Sequence, residues 1–182
     1  MKNFYRVAEG VDVTPLLYAL HTNADLWDAH PIRTQHPGTV HSQVSDILLR
    51  FQPIEQGAGI PDAHESVCFP GWWRLPQAQD LVYALVARVR GTRLGRVIIT
   101  RLPPGKSIDA HVDGGAHAEY YERHHIVLQN GKGSNFRAGD ENVCMKAGEV
   151  WWFDNSAEHE VTNHSDVDRI TMIVDIRVEK PC

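Results

Sequence analysis

Apolar residues follow two rhythms along this chain, and the change comes near residue 95. In the first part, Leu16, Leu17 and Leu20 follow a Thr14-Pro15 pair. Proline suits the first turn of a helix, where its missing N–H has no partner to lose, so a short helix is predicted there. Residues 21–43 are rich in His, Pro, Thr and Asn and predict a long loop. Residues 44–51 predict a strand, with Ile47, Leu49 and Phe51 on one face and Leu48 and Arg50 on the other. Pro76 opens a clearer helix, since Leu81, Leu85 and Val89 recur at four-residue spacing with Val82 and Val86 beside them.

From residue 95 the rhythm is that of strands. Residues 96–102 predict one that stops at Pro103-Pro104-Gly105, a strong turn signal. Further strand-like runs occupy residues 107–113, 123–129, 142–146, 149–153, 159–163 and 169–178, punctuated by Gly, Asn and Asp. So many short strands in succession predict a mainly β sandwich or barrel, with the earlier helices packed outside it. No repeat, low-complexity segment or linker interrupts the 182 residues. One domain is expected, with a β core over about 95–179 and a helical and loop part over about 1–94.

Composition narrows the class. The formal net charge is -5, which disfavours nucleic acid as a partner because phosphate binding favours a basic face. Cys68, Cys144 and Cys182 are odd in number and far apart, so neither a disulfide framework nor a zinc ribbon is expected, and a reducing compartment fits. The opening residues lack the apolar stretch of a signal peptide, and no run is long enough to span a bilayer. A cytoplasmic location is therefore the expectation. Oligomeric state is not legible.

The chemistry enters at His111-Val112-Asp113. In a strand, residues i and i+2 point to one face, so this imidazole and carboxylate can meet at a point. A third ligand must come from another strand, and His159 is the best placed, after the bulky run Trp151-Trp152-Phe153. Two His and one carboxylate suit non-haem Fe(II), because they fill one face of the metal and leave positions open. Those positions can take the keto-acid end of 2-oxoglutarate and O2. Arg169, ten residues after His159, supplies a guanidinium for the far carboxylate of that cosubstrate. A bare His-x-Asp arises often by chance; the combination with His159 and Arg169 in a strand-rich half is far more specific. His117, His124 and His164 read as exposed or structural, since the triad is complete without them. Trp72, Trp73, Trp151 and Trp152 read as core or pocket wall.

These residues resemble a family. Thr100-x-Leu102-x-Pro104-Gly105, Ile108-x-x-His111-x-Asp113 and Arg123-x-His125-x-x-Leu128 look like the aspartyl/asparaginyl β-hydroxylase domain. So do Gly148, Phe153-Asp154-Asn155-Ser156, His159-Glu160-Val161, Asn163, Arg169 and Asp175-Ile176. The resemblance implies a double-stranded β-helix (jelly-roll, cupin-like) core. It also implies Fe(II), 2-oxoglutarate and O2, and hydroxylation of an unactivated C–H bond with release of succinate and CO2. By the same likeness, Thr100 would help Arg169 hold the far carboxylate, and Arg123 and His125 would sit near the keto-acid end. Animal peptidyl hydroxylases of this family lack the iron carboxylate, whereas Asp113 is present. That likeness points toward bacterial members, some of which resemble free amino-acid hydroxylases.

The substrate expectation is a small, anionic or amino-acid-like molecule. Arg33 in the long loop and Arg50 in the strand after it are the donors proposed for it, although either also fits a surface or structural ion pair. Peptidyl Asp or Asn is the alternative substrate. A cupin-like metal-binding protein without oxygenase activity is the alternative function, suggested by His159-x-x-x-Asn163. A cupin would usually show His-x-His in its first motif, and it has no use for Arg169.

Overall fold

Strands dominate after residue 90, as the two-residue rhythm predicts. A computed structural model describes residues 2–35, 37–53 and 64–179. Cys182 lies outside the described residues, and Cys68 and Cys144 are free thiols. In chain order the elements are β1 (Phe4–Ala8), α1 (Thr14–Thr22), a 3-10 turn (Ala24–Leu26), β2 (Ser45–Phe51), β3 (Val67–Cys68), α2 (Pro70–Arg74), α3 (Pro76–Val89), β4 (Gly91–Leu102) and β5 (Ser107–His111). Then come α4 (Ala116–Tyr120), β6 (Glu122–Gln129), β7 (Ser134–Ala138), β8 (Glu141–Val143), β9 (Val150–Phe153), β10 (His159–Asn163) and β11 (Arg169–Val178). Among the described residues no helix is long and apolar enough to cross a membrane.

The strands form two antiparallel sheets, ordered β1-β9-β6-β11-β4-β2-β3 and β5-β10-β7-β8. This is the mainly β, jelly-roll architecture expected. Its large sheet is buried on both faces, and alternation decides what each face holds. Val97 and Ile99 of β4, Ile126 and Leu128 of β6, and Met172, Val174 and Ile176 of β11 pack with Leu16, Leu20, Val82 and Leu85 of α1 and α3. The residues between them turn into the space between the sheets. There Leu102, Ile108, Val127, Phe136, Phe153 and Val161 form a second core. Thr100, Arg123, His125, Arg169 and Asp175 share that interior side by the same alternation.

Several expectations are adjusted. Phe51 does not join Ile47 and Leu49; the register shifts between Leu48 and Arg50, and Phe51 packs with Leu48, Phe69 and Ile98 instead. The strand expected over 107–113 ends at His111. The run at 142–146 keeps strand pairing only to Val143. β1 and β7 were not expected, because their polar residues mask a weak alternation. Phe4 nevertheless anchors β1, its ring 5.3 Å from that of Phe136. Trp72 and Trp151 are core, whereas Trp73 is exposed. His117 and His124 are buried, and burial pulls the His124 imidazole down to about 4.

One side chain ties β10 to its neighbours. Asn163, at the end of β10, is fully buried. Its Nδ2 donates to the carbonyls of Leu102 and Val167, both at 2.9 Å, and its Oδ1 accepts from Ser165 Oγ at 2.6 Å and Ser165 N at 3.2 Å. It thereby fixes the turn that leads into Arg169. Asn163→Ala would orphan several buried groups, so unfolding in urea should show a loss of about 2–4 kcal/mol. A loss below about 0.5 kcal/mol would mean that the turn holds itself.

Candidate metal centre

His111 closes β5, and the register places it directly across from His159, the first residue of β10. Their ring centroids lie 4.3 Å apart. His111 Nδ1 is 2.7 Å from the Asp109 carbonyl, and His159 Nδ1 is 2.9 Å from the Ala157 carbonyl. A carbonyl only accepts, so each Nδ1 carries the proton and each Nε2 is left with a lone pair. Those two Nε2 atoms flank one carboxylate: His111 Nε2 is 3.8 Å from Asp113 Oδ1, and His159 Nε2 is 3.7 Å from Asp113 Oδ2. All three ligand atoms lie within 4.8 Å of one another, a spacing that suits a shared metal ion. Burial holds the His159 imidazole below its ordinary range, which favours the neutral, metal-binding form.

Asp113 reaches this point by a different route from the one its spacing suggests. It lies past the end of β5, in a loop pinned by its own N–H to the Asn155 carbonyl at 3.2 Å. Its side chain is held by Arg123, whose Nη1 donates to Oδ2 at 2.5 Å. The rest of the Arg123 fork grips Asp175, Nε to Oδ1 at 2.8 Å and Nη2 to Oδ2 at 3.0 Å. His117 Nε2 meets the same Asp175 Oδ2 at 3.0 Å. Arg123 and His117 hold the buried Asp175 carboxyl far below the usual carboxylate range, despite the opposing effect of burial. A chain His117–Asp175–Arg123–Asp113 therefore aims the carboxylate ligand. Arg123, expected near the keto-acid end, lines the site but spends its fork on two carboxylates.

Arg169, at the start of β11, differs from Arg123 in lacking a carboxylate partner among the described residues. It is 3% exposed, and its Nη2 is buried with no hydrogen-bond partner among the described residues. Its Cζ sits 5.7 Å from the Phe136 ring centroid. Burial pushes the guanidinium down to about 10, a sign that its charge is poorly compensated. Arg169, His111, His159, His125, Phe136 and Phe153 line one narrow inner chamber of about 40 Å3. His125 is buried against Phe136, with ring centroids 5.3 Å apart, and burial keeps it neutral. Thr100 lines this chamber too, but its hydroxyl donates to Asp46 Oδ1 at 2.8 Å and accepts from Arg33 Nη2 at 2.7 Å. In this arrangement its proton is not directed at the carboxylate it was expected to hold.

A second, outer chamber of about 290 Å3 opens beside Asp113, and it shares Arg33, His41, Arg123 and Ile173 with the inner one. Arg33 forks onto the buried Asp46, Nε to Oδ2 at 2.8 Å and Nη2 to Oδ1 at 2.7 Å. It is therefore a paired wall residue more than a free donor. Arg50 lines neither chamber. It lies over Trp72, 5.8 Å from the ring, and donates to the Ser66 and Gly95 carbonyls. The reason is the shift in β2, which turns Arg50 toward the helical layer. Two further residues line the site: His41, whose ring lies 5.3 Å from that of His111, and Arg96 on β4, neither among the residues expected there. No spacing betrays His41. Arg96 was accessible, since alternation groups it with Ile98 and Thr100 opposite Val97 and Ile99.

The sequence profile of aspartyl/asparaginyl β-hydroxylase matches residues 72–179. No curated protein matches the chain significantly. Among solved structures, an oxidoreductase of the 2OG-Fe(II) oxygenase family from Burkholderia pseudomallei superposes with a TM-score of 0.61 at 14% identity, covering 96% of this chain and 84% of that one. A cupin domain from Bordetella pertussis gives 0.38 at 18% identity, over 48% of this chain and 85% of its own. A predicted oxalate decarboxylase from Thermotoga maritima gives 0.38 at 22% identity, over 47% and 68%.

If the Arg123 fork aims Asp113, then Arg123→Lys, which keeps the charge and loses the fork, should weaken divalent-metal binding about 10- to 100-fold in a folded protein. Asp175→Asn should do the same. Titration with Co(II) followed by its visible absorption measures this. Affinity within about twofold of wild type in both variants would mean that Asp113 orients itself.

Proposed function

Because the chain belongs to the aspartyl/asparaginyl β-hydroxylase family, we propose that it is an Fe(II)- and 2-oxoglutarate-dependent oxygenase that hydroxylates a C–H bond of a small, amino-acid-like substrate. The observation that carries the reading is the buried Arg169 without a carboxylate, in the same chamber as the two histidine ligands. An uncompensated guanidinium in the interior is costly, and an incoming carboxylate would satisfy it with two parallel hydrogen bonds. The donor set fits the metal as well. Two neutral imidazoles and one carboxylate are the ligand set of non-haem Fe(II) oxygenases, and they leave positions for a chelating keto acid and O2.

When bound, the metal would supply O2 activation coupled to decarboxylation of 2-oxoglutarate. In that chemistry one oxygen atom would enter the substrate C–H bond as hydroxyl and the other would enter succinate, with CO2 released. The chain's own residues do the positioning. His111, Asp113 and His159 would hold the metal on one side, keeping the other open. Arg169 would set the depth of the cosubstrate by its far carboxylate. His125, Phe136 and Phe153 would wall the chamber and keep it dry, which strengthens every charge interaction inside. The buried Asp175–Arg123 pair would hold Asp113 still while cosubstrate enters and leaves.

A cupin-like binding protein could use the same triad, but it leaves Arg169 unexplained. Arg169→Lys keeps the charge and loses the two-pronged geometry. The apparent Michaelis constant for 2-oxoglutarate, read from succinate release, should rise about 10-fold or more, with metal affinity within about twofold of wild type. An unchanged constant would remove the clamp. Arg137 could not readily replace it, being committed to Glu158 at 3.0 Å and Glu160 at 2.8 Å.

A further inference from the structure

We propose that the outer chamber seats the substrate and that Arg96, not Arg33 or Arg50, receives a carboxylate of that substrate. This rests on the oxygenase reading and names the recognition chemistry of the same site. The outer chamber touches the metal cluster through Asp113 and Arg123, so a molecule held there lies beside the reacting centre. Three arginines line it, and their pairing differs. Arg33 is neutralised by Asp46, and Arg123 by Asp175 and Asp113. Arg96 has no ion pair among the described residues. Its Nη2 donates to the neutral Gln52 Oε1 at 2.6 Å, while its Nε is buried with no partner.

The group is also held in place. Arg96 Cζ lies 4.7 Å from the centroid of the Phe51 ring, which braces the planar guanidinium from one side. Burial, with the like charges of Arg123 and Arg33, pulls its pKa below the ordinary arginine range against the opposing attraction of the Asp175 and Asp113 carboxylates. A half-buried, braced guanidinium with an unpartnered N–H is the donor a carboxylate needs, because it is already partly desolvated and loses little freedom on binding. The remaining wall is His41 and the apolar Ile32, Phe51, Ile98 and Ile173. The chamber thus suits a compact acid with an aliphatic body, the carboxylate on Arg96 and the body lying toward Asp113. Its volume of about 290 Å3 is at the small end of metabolite sites and leaves little room for a folded partner.

The test uses the full chain loaded with Zn(II) and saturated with 2-oxoglutarate. The probes are the free L-amino acids and the matching L-amino acid amides, with binding followed by saturation-transfer NMR and calorimetry. At least one amino acid should bind, with its amide about 10-fold weaker or more. In Arg96→Gln the acid should fall to the level of its amide, while Arg96→Lys should recover part of the preference. Gln52→Glu places a carboxylate against Arg96 and should weaken the acid likewise. In all three variants 2-oxoglutarate should bind within about twofold of wild type, because Arg169 lies in the other chamber. Equal binding of acid and amide by wild type, undiminished acid binding by Arg96→Gln, or no acid bound at all would overturn the proposal. Failure of wild type to bind 2-oxoglutarate would instead sink the oxygenase reading, so the two fail separately.

Discussion

Every second side chain of β4, β6 and β11 must point into the space between two sheets, and the structure depends on how that space handles charge. The other side of these strands is covered by α1 and α3 and is filled with aliphatic residues. The inner side carries Arg96, Thr100, Arg123, His125, Arg169 and Asp175 among apolar neighbours. Buried charges are tolerated only when paired or when a ligand completes them. Arg123 and Asp175 pair with each other, and Arg33 pairs with Asp46 from the neighbouring strand. Among the described residues, Arg169 in the inner chamber and Arg96 in the outer one have no ion pair. Each keeps a buried N–H with no hydrogen-bond partner among the described residues.

The candidate metal ligands sit where the chambers meet. His111 and His159 come from the small sheet, opposite one another across a strand pair. Asp113 comes from a loop and is aimed from the large sheet, through Arg123 and Asp175. The triad is thus assembled across the interior, and neither sheet alone would make it. The turn at Asn163 sets how β10 is joined to β11.

Much of this was legible in the sequence for a physical reason. His111, His159 and Arg169 are chemically unusual residues at strand positions, and two-residue alternation places them inside. The helix at Pro76–Val89 was equally clear, because its apolar stripe is regular. What escaped was long-range or local accident. Asp113 seemed set by strand alternation but depends on a partner 62 residues away, at Asp175, relayed through Arg123. Arg33 and Arg50 looked like free donors because their partners, Asp46 and the Ser66 and Gly95 carbonyls, are identifiable only once β2 is in place. The reading of Phe51 failed through a single register shift, which no hydrophobic pattern announces.

The claim that joins triad to clamp is that a keto acid chelates the metal while Arg169 holds its far end. The most direct measurement is the visible spectrum of the protein with Fe(II) under nitrogen, before and after 2-oxoglutarate. A weak charge-transfer band should appear with 2-oxoglutarate, saturate stoichiometrically, and be absent with succinate, which cannot chelate. Iron bound at the His111–Asp113–His159 site with no band at saturating 2-oxoglutarate would contradict the account.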